Sequence, residues 1–412
     1  MKRIVDLRAP AALFAITLLL ANEVKAAVPP STTNLSGPAL VEAQARLQQG
    51  EPRLTAALAQ LRGEADRLLT LKPASVMDIG PAAPGDDPHD YLSLAPYWWP
   101  NPEKPDRLPY IQHDGKVNPE SKRRTDSVAF ARTCNAVETL GLAYWFTGDE
   151  RYVAKAAKLV RVWFLDPATH MNPNLEHAQA IRGRNTGRGT GLIEGRNFIA
   201  LMDGLALIAG AKAWPEGDAA AMRTWLGSYY QWLISSQHGA DEEKSVNNHG
   251  SWYDAQAADL ALVLGMKDDV KTIVAAAKTK RITRQIEPDG SQPLELSRTR
   301  SLNYVLFNLE ALSTLARFGT AVGEDLWGFA TPDGRTLKKA VAYLAPYADP
   351  EKPWRQKDLD AADRRRILPL LAEADRHDAD PAFEALLAKF ASKPESGEHW
   401  ELEWSGETPS RP

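Results

Sequence analysis

The chain has a single cysteine, Cys134, among 412 residues, so no disulfide can form within it and its fold rests on burial of a core. Cys134 falls inside the helical run Phe130-Ala131-Arg132-Thr133-Cys134-Asn135-Ala136-Val137, where a buried structural thiol is expected. Sustained period-2 alternation of β-branched residues is missing, which argues against a sandwich or barrel. Histidine is sparse: the eight residues include no HxH or HExxH spacing, and with one thiol there is no zinc framework. An acidic loop of EF-hand type is also lacking. Gly187-Arg188-Gly189-Thr190-Gly191 lacks the Lys-Ser/Thr ending of a phosphate loop, and no strand pattern precedes it. No metal and no cofactor are expected. A formal net charge of −4 argues against a nucleic-acid partner, yet a cleft in an acidic molecule can still be locally basic.

Long apolar runs are confined to the N-terminus. Met1-Lys2-Arg3, the run Ala9 to Ala21 and Val24-Lys25-Ala26-Ala27 have the charged, apolar and small-residue regions of a secretory signal. The apolar run is short for a membrane span. Residues 1–26 are therefore expected to be a signal peptide, 27–395 one catalytic domain and 396–412 a polar tail. The mature protein would be periplasmic or secreted, with no membrane contact after cleavage. Oligomeric state is not legible.

What is present is mostly helical periodicity. It begins near Pro38, breaks at Gly50-Glu51-Pro52 and runs to about Leu71. A polar and aromatic loop follows from Lys72 to Thr125. Helices are then expected over 126–146, with Asp126 as cap and Gly148 as stop, and over 149–165, with Asp149 as cap. A second long loop covers 172–197. Further helices are expected over 196–213, 217–237, 248–265, 267–280, 301–318 and 334–346, with shorter ones at 358–374 and 380–391. Helices joined by short turns and interrupted by long loops suggest an all-α fold, an incomplete (α/α) toroid of antiparallel helix pairs with the long loops on one face.

Several stretches concentrate functional side chains: Tyr97-Trp98-Trp99-Pro100, Asp114-Gly115-Lys116-Val117-Asn118-Pro119, Asn172-Pro173-Asn174-Leu175 with Ala178-Gln179-Ala180, Gly187-Arg188-Gly189 with Ile193-Glu194, Asn247-Asn248-His249, and Asp289 to Tyr304. Motif by motif, over about residues 85–320, these resemble the alginate lyase superfamily of helical-toroid polysaccharide lyases. The resemblance implies β-elimination on an acidic polysaccharide, a polyuronate, with Gln179 and Arg188 among the substrate-binding residues. In the best-known alginate lyases one arginine stands seven residues before the tyrosine. Here Arg298 and Arg300 stand six and four before Tyr304, which marks a side branch and leaves alginate and glucuronan both open as substrates.

The residues suit that chemistry on their own terms. Eliminating across a 1,4-linked uronate requires neutralising its carboxylate, so that the enolate-like transition state is stabilised. Asn247, Asn248, His249 and Arg298 offer the donors. A base must take the C5 proton and an acid must protonate O4, and Tyr304 is the candidate for both. On a helix Arg300, Tyr304 and Asn308 share a face, so Arg300 is placed either to supply charge beside the phenol or simply to pair with a surface acid. One residue can play both roles only if H5 and O4 lie on the same side of the ring, as in mannuronate and glucuronate. Guluronate needs a second group, for which His249 is placed. Glu194 is expected to orient an arginine or bind a hydroxyl, and Tyr97, Trp98, Trp99 and Trp252 to give apolar surface to sugars.

Each residue has a plainer reading. Asn247-Asn248 suits a helix cap, His249 or Tyr304 simple packing, and Arg298 a pair with Glu295 three residues earlier. A glycoside hydrolase using two of Asp254, Glu194, Glu295 and Asp86-Asp87 is an alternative that gives Asn248, His249 and Tyr304 no role. A non-catalytic glycan-binding protein is another.

Overall fold

The computed structural model describes residues 28–81, 86–123, 125–359, 362–390 and 402–403. The expected signal at 1–26 lies outside the described residues, as does the tail at 396–412 apart from 402–403.

The N-terminal hairpin is α1 (Gly37–Gln48), capped by the Ser36 side chain, and α2 (Pro52–Leu68), which starts on a proline whose missing N–H costs nothing at a helix start. Then come α3 (Ser127–Thr147), stopped by left-handed Gly148, and α4 (Glu150–Val160), capped by Asp149 and extended by a π turn to Leu165. Next are α5 (Phe198–Leu207), α6 (Glu216–Ser235), α7 (Gln237–Glu243) and α8 (Asn248–Leu264). After α9 (Lys267–Ala277), two short pieces, α10 (Thr283–Gln285) and α11 (Pro293–Leu296), lead to α12 (Ser301–Thr320). The chain ends in α13 (Leu337–Leu344), α14 (Ile367–His377) and α15 (Pro381–Phe390).

The architecture is the expected all-α (α/α) toroid. Helix α3 packs on α2, α4 and α5; α5 touches α8; α8 packs on α6, α9 and α12; and α12 meets α13 and α14. The α3–α5 contact is close because two glycines meet there. A Cβ on Gly141 would lie 2.9 Å from the Gly204 carbonyl oxygen, and one on Gly204 2.7 Å from the Glu138 nitrogen. A larger residue at either position would force the helices apart.

Four local expectations are corrected. Helix α7 was not legible. The helix expected from 196 starts at Phe198, because a 3-10 turn occupies Gly189–Asn197, and the one expected from 358 becomes α-helical only at Ile367. The long loops also carry short strands: β1 (Leu92–Leu94) pairs in parallel with β4 (His177–Ala180), and β2 (Trp98–Trp99) pairs antiparallel with β3 (Ile111–Gln112). The β1–β4 pair ties the two loops together on the cleft side of the toroid.

Asp126 does not cap α3 with its side chain. Its Oδ2 accepts from the Leu92 N–H at 2.8 Å, locking β1 to the helix start, while Oδ1 is buried with no hydrogen-bond partner among the described residues. Burial, only partly opposed by the Leu92 N–H, raises its pKa to about 8. The folded state thus holds this proton more tightly than the unfolded chain. The stabilisation is complete below about pH 4 and is lost as the pH climbs to about 8. Asp126→Asn keeps an acceptor for Leu92 and cannot ionise. Its Tm should exceed that of the wild type above pH 8, by ~2–4 °C for each kcal/mol recovered. Tm measured against pH for both proteins checks this, and parallel curves would refute it.

Candidate active site

Residues 243–247 are fixed from below by Arg281, which is 2% exposed. Its guanidinium binds both oxygens of Asp254, at 2.8 and 3.0 Å, and the carbonyls of Ser245 and Glu243, at 2.5 and 2.9 Å. Asp254 is therefore committed to a structural pair, which removes it from the acids available to a hydrolase.

This support presents the start of α8. Asn247 is its cap, with Oδ1 accepting from the His249 N–H at 3.2 Å, and it also lines the cleft. Asn248 is fully buried and donates both its N–H and Nδ2 to the carboxylate of Glu295, at 2.7 and 2.8 Å. Glu295 thus holds Asn248 rather than Arg298, and burial raises its pKa against the pull of these donors. The imidazole of His249 meets Glu242 through Nδ1 at 2.7 Å, which leaves Nε2 as the nitrogen able to face a ligand. Glu242 is itself fully buried on α7, and sequence reasoning did not find it.

The opposite wall comes from the loops. Gln179 has a φ of 51°, an unfavourable left-handed conformation for a residue with a Cβ, held by its N–H donating to Ser93 Oγ at 2.7 Å. Its side-chain oxygen accepts from Arg188 Nη2 at 2.7 Å. Glu194 accepts from the Tyr91 and Ser93 hydroxyls, each at 2.7 Å, so it is anchored by hydroxyls; among the described residues it forms no salt bridge, although the Arg196 charge acts on it. Burial raises its pKa above the ordinary carboxyl value.

Tyr304, one turn into α12, has its hydroxyl 2.9 Å from that of Tyr97 and accepts from Arg298 Nη2 at 2.8 Å. The Arg298 guanidinium also lies over the Tyr304 ring, 3.9 Å from its centroid, and is held there by Asp114 at 2.7 Å. Burial, then Tyr97, pushes the Tyr304 pKa above that of a free phenol, and Arg298 opposes the rise. The charge beside Tyr304 is thus Arg298, not Arg300. Arg300 immediately precedes α12 with φ −123° and pairs through its backbone with Asp358, outside the cleft lining.

The groups converge on a cleft of about 1230 Å³, lined by Tyr97, Gln179, Arg188, Glu194, Asn247, Asn248, His249, Trp252, Arg298 and Tyr304. Asp114, Arg196, Phe307, Glu310 and Arg366 also line it and were not singled out from sequence as binding groups. Trp98 and Trp99 do not reach it. Trp98 lies under Arg184 at 4.8 Å and packs with Ala95, Tyr110 and Ile181, while Trp99 donates to the Lys116 carbonyl at 2.9 Å. The two tryptophans brace the loop rather than forming a sugar platform. Among the described residues no group of three or more His, Cys, Asp or Glu side chains is placed to hold a metal ion, and no helix is long and apolar enough to cross a membrane.

An (α/α) toroid whose loop-side cleft holds Asn248, His249, Arg298 and Tyr304 has the architecture of a helical polysaccharide lyase. Comparison with known proteins agrees: the alginate lyase family profile matches residues 75–354, and the chain belongs to that family. The chain is 36% identical to an alginate lyase from Bacteroides ovatus, covering 92% of this chain and 100% of that one with a TM-score of 0.87. It also shares the fold of alginate lyase A1-III from Sphingomonas species A1, at 15% identity and TM-score 0.52, covering 86% of this chain and 96% of that one. A tyrosine-to-phenylalanine variant of A1-III complexed with a tetrasaccharide matches at 16% identity and TM-score 0.56, covering 92% and 98%. No curated protein sequence matches. The protein is a polysaccharide lyase.

Proposed function

We propose that this cleft cleaves 1,4-linked polyuronate, mannuronate-rich alginate first, by β-elimination with Tyr304 as both base and acid. The observation that carries the reading is the Tyr304 hydroxyl, bonded to Arg298 and Tyr97 in the same cleft as Asn248 and His249. Tyr304 takes H5, the C5–H electron pair becomes the C4=C5 double bond, the C4–O4 bond breaks, and the same tyrosine returns the proton to O4. Tyr304 acts from its phenolate form, and Arg298 offsets the negative charge that the oxygen carries before it takes H5 and again after it protonates O4. His249 and the Asn247-Asn248 amides form the side that receives the uronate carboxylate. The family membership and the 36% identity to an alginate lyase from Bacteroides ovatus support a polyuronate substrate. The signal-like pattern at residues 1–26 supports export.

The test is ultraviolet absorbance of the 4,5-unsaturated uronate with polymannuronate, polyguluronate and glucuronan as separate substrates. Absorbance should rise fastest on polymannuronate. A faster rise on glucuronan would move the substrate to the β-1,4-glucuronate polymer with the mechanism intact. Reducing ends without unsaturation would overturn the elimination.

A further inference from the structure

The cleft extends beyond the reacting groups. Tyr304, Phe307 and Glu310 lie one turn apart along one face of α12 and all line it, a span of ~9 Å. Alongside, Arg366 from the start of α14 binds Glu310 through both oxygens, at 2.7 Å each, and Asn303 at 2.7 Å. Two of the four arginines lining the cleft are thus matched by salt bridges: Arg298 by Asp114 and Arg366 by Glu310. Two are not. Among the described residues the Arg188 side chain binds only the Gln179 backbone and side-chain oxygens, and the Arg196 side chain makes one hydrogen bond, to the Ile193 carbonyl at 3.2 Å. Arg196 rests over Phe307, 5.2 Å from the ring centroid. The nearest acids are already engaged, Glu194 by Tyr91 and Ser93 and Glu310 by Arg366. Burial lowers the pKa of both guanidinium groups, and the neighbouring carboxylates, Glu242 and Glu194 for Arg188 and Glu194 and Glu310 for Arg196, only partly oppose it. A half-buried cation facing a cleft, with donors to spare, is suited to an anionic ligand.

We propose that Arg196 binds the carboxylate of a second uronate, in a subsite along α12 walled by Phe307 and flanked by the Arg366–Glu310 pair. This rests on the polyuronate reading above. Arg188, beside Gln179, would serve the sugar at the reacting end, and two unmatched arginines in one cleft fit successive carboxylates of one chain. The subsite binds substrate remote from the bond being broken, so its loss should weaken binding and leave the chemical step largely intact.

Arg196→Gln and Arg196→Lys, each first checked by Tm, are compared with the wild type in steady-state cleavage of polymannuronate and of oligomannuronates of defined length. Calorimetric binding of a tetramannuronate to the uncleaving Tyr304→Phe form, with and without Arg196→Gln, runs in parallel. The glutamine variant should raise KM about tenfold and weaken tetramer affinity about as much, with kcat within about threefold. The penalty should vanish for the shortest cleavable oligomer, and lysine should recover part of it. If the glutamine variant fails to fold, the lysine variant carries the comparison with a smaller loss of the same sign. Unchanged KM and affinity, or an equal loss at every length, would overturn the subsite. Wild-type protein that binds oligomers without cleaving them would instead overturn the catalytic reading, with the affinity comparison still deciding on Arg196. Wild-type protein that neither binds nor cleaves would overturn both.

Discussion

Tyr304→Phe should lower kcat for polyuronate cleavage by ~10³-fold or more, with affinity for oligomannuronate within a few-fold of wild type, because base and acid catalysis are each typically worth ~10²–10⁴-fold. The substitution removes one oxygen from a ring that is 7% exposed and packed beneath Arg298, so the fold should survive it. It also removes the acceptor of the Arg298 donor and the partner of Tyr97, but both retain access to the cleft. The same tyrosine sets a pH dependence. Burial and Tyr97 hold its proton more tightly than in a free phenol, and Arg298 only partly reverses that. The phenolate fraction therefore grows as the pH rises through neutrality, and kcat/KM should rise into the alkaline range. Loss of activity by the variant with a flat residual pH profile would confirm the assignment. A variant retaining more than about a tenth of wild-type kcat would move the role to another group.

The helices were legible because their signals are local. Asp149 and Gly148 mark the boundary between α3 and α4 by cap and stop chemistry, and the apolar rows of α8 and α12 follow from periodicity. The site was legible where the groups sit in one short motif, as in Asn247-Asn248-His249. It was misread where side-chain direction decided the outcome. Arg300 was placed beside Tyr304 by helical spacing, but α12 starts only at Ser301, so the i, i+4 relation does not hold for a residue outside the helix. Arg298 reaches the phenol by folding back from the preceding turn, pulled by Asp114, which lies 184 residues away in sequence. The adjacent Trp98 and Trp99 sit on a strand pairing that periodicity could not show in only two residues. The candidate proton carriers could be named from residue type, but the partners that hold them come from distant loops and have no sequence signature.

Glu242 is the clearest such partner, and Glu242→Gln should reduce kcat by ~10²-fold, at the upper end of what removing a group that orients a functional histidine costs. The helix that carries it reads Gln-His-Gly-Ala-Asp-Glu-Glu, with no apolar row to betray a buried face; it forms because the Ser236 side chain caps it, accepting from the Gly239 N–H at 3.0 Å. Glu242 is fully buried, with His249 Nδ1 at 2.7 Å and Ser245 Oγ at 3.4 Å. A buried carboxylate next to an imidazole fixes the tautomer with Nδ1 protonated and offsets positive charge when Nε2 engages a uronate carboxylate. Glutamine keeps the shape and can still accept from Nδ1, so it removes the charge while sparing the geometry. Glu242→Ala should be worse, since it leaves the imidazole without an orienting partner and opens a cavity beneath it. The informative measurement is the ratio between substrates. If His249 only receives the carboxylate, Glu242→Gln should depress cleavage of polymannuronate and polyguluronate alike. If His249 is the second group that guluronate needs on the opposite face, polyguluronate cleavage should fall by a further tenfold or so. Wild-type rates on both polymers would remove His249 from the chemistry and leave it as a structural neighbour of the Asn247 cap.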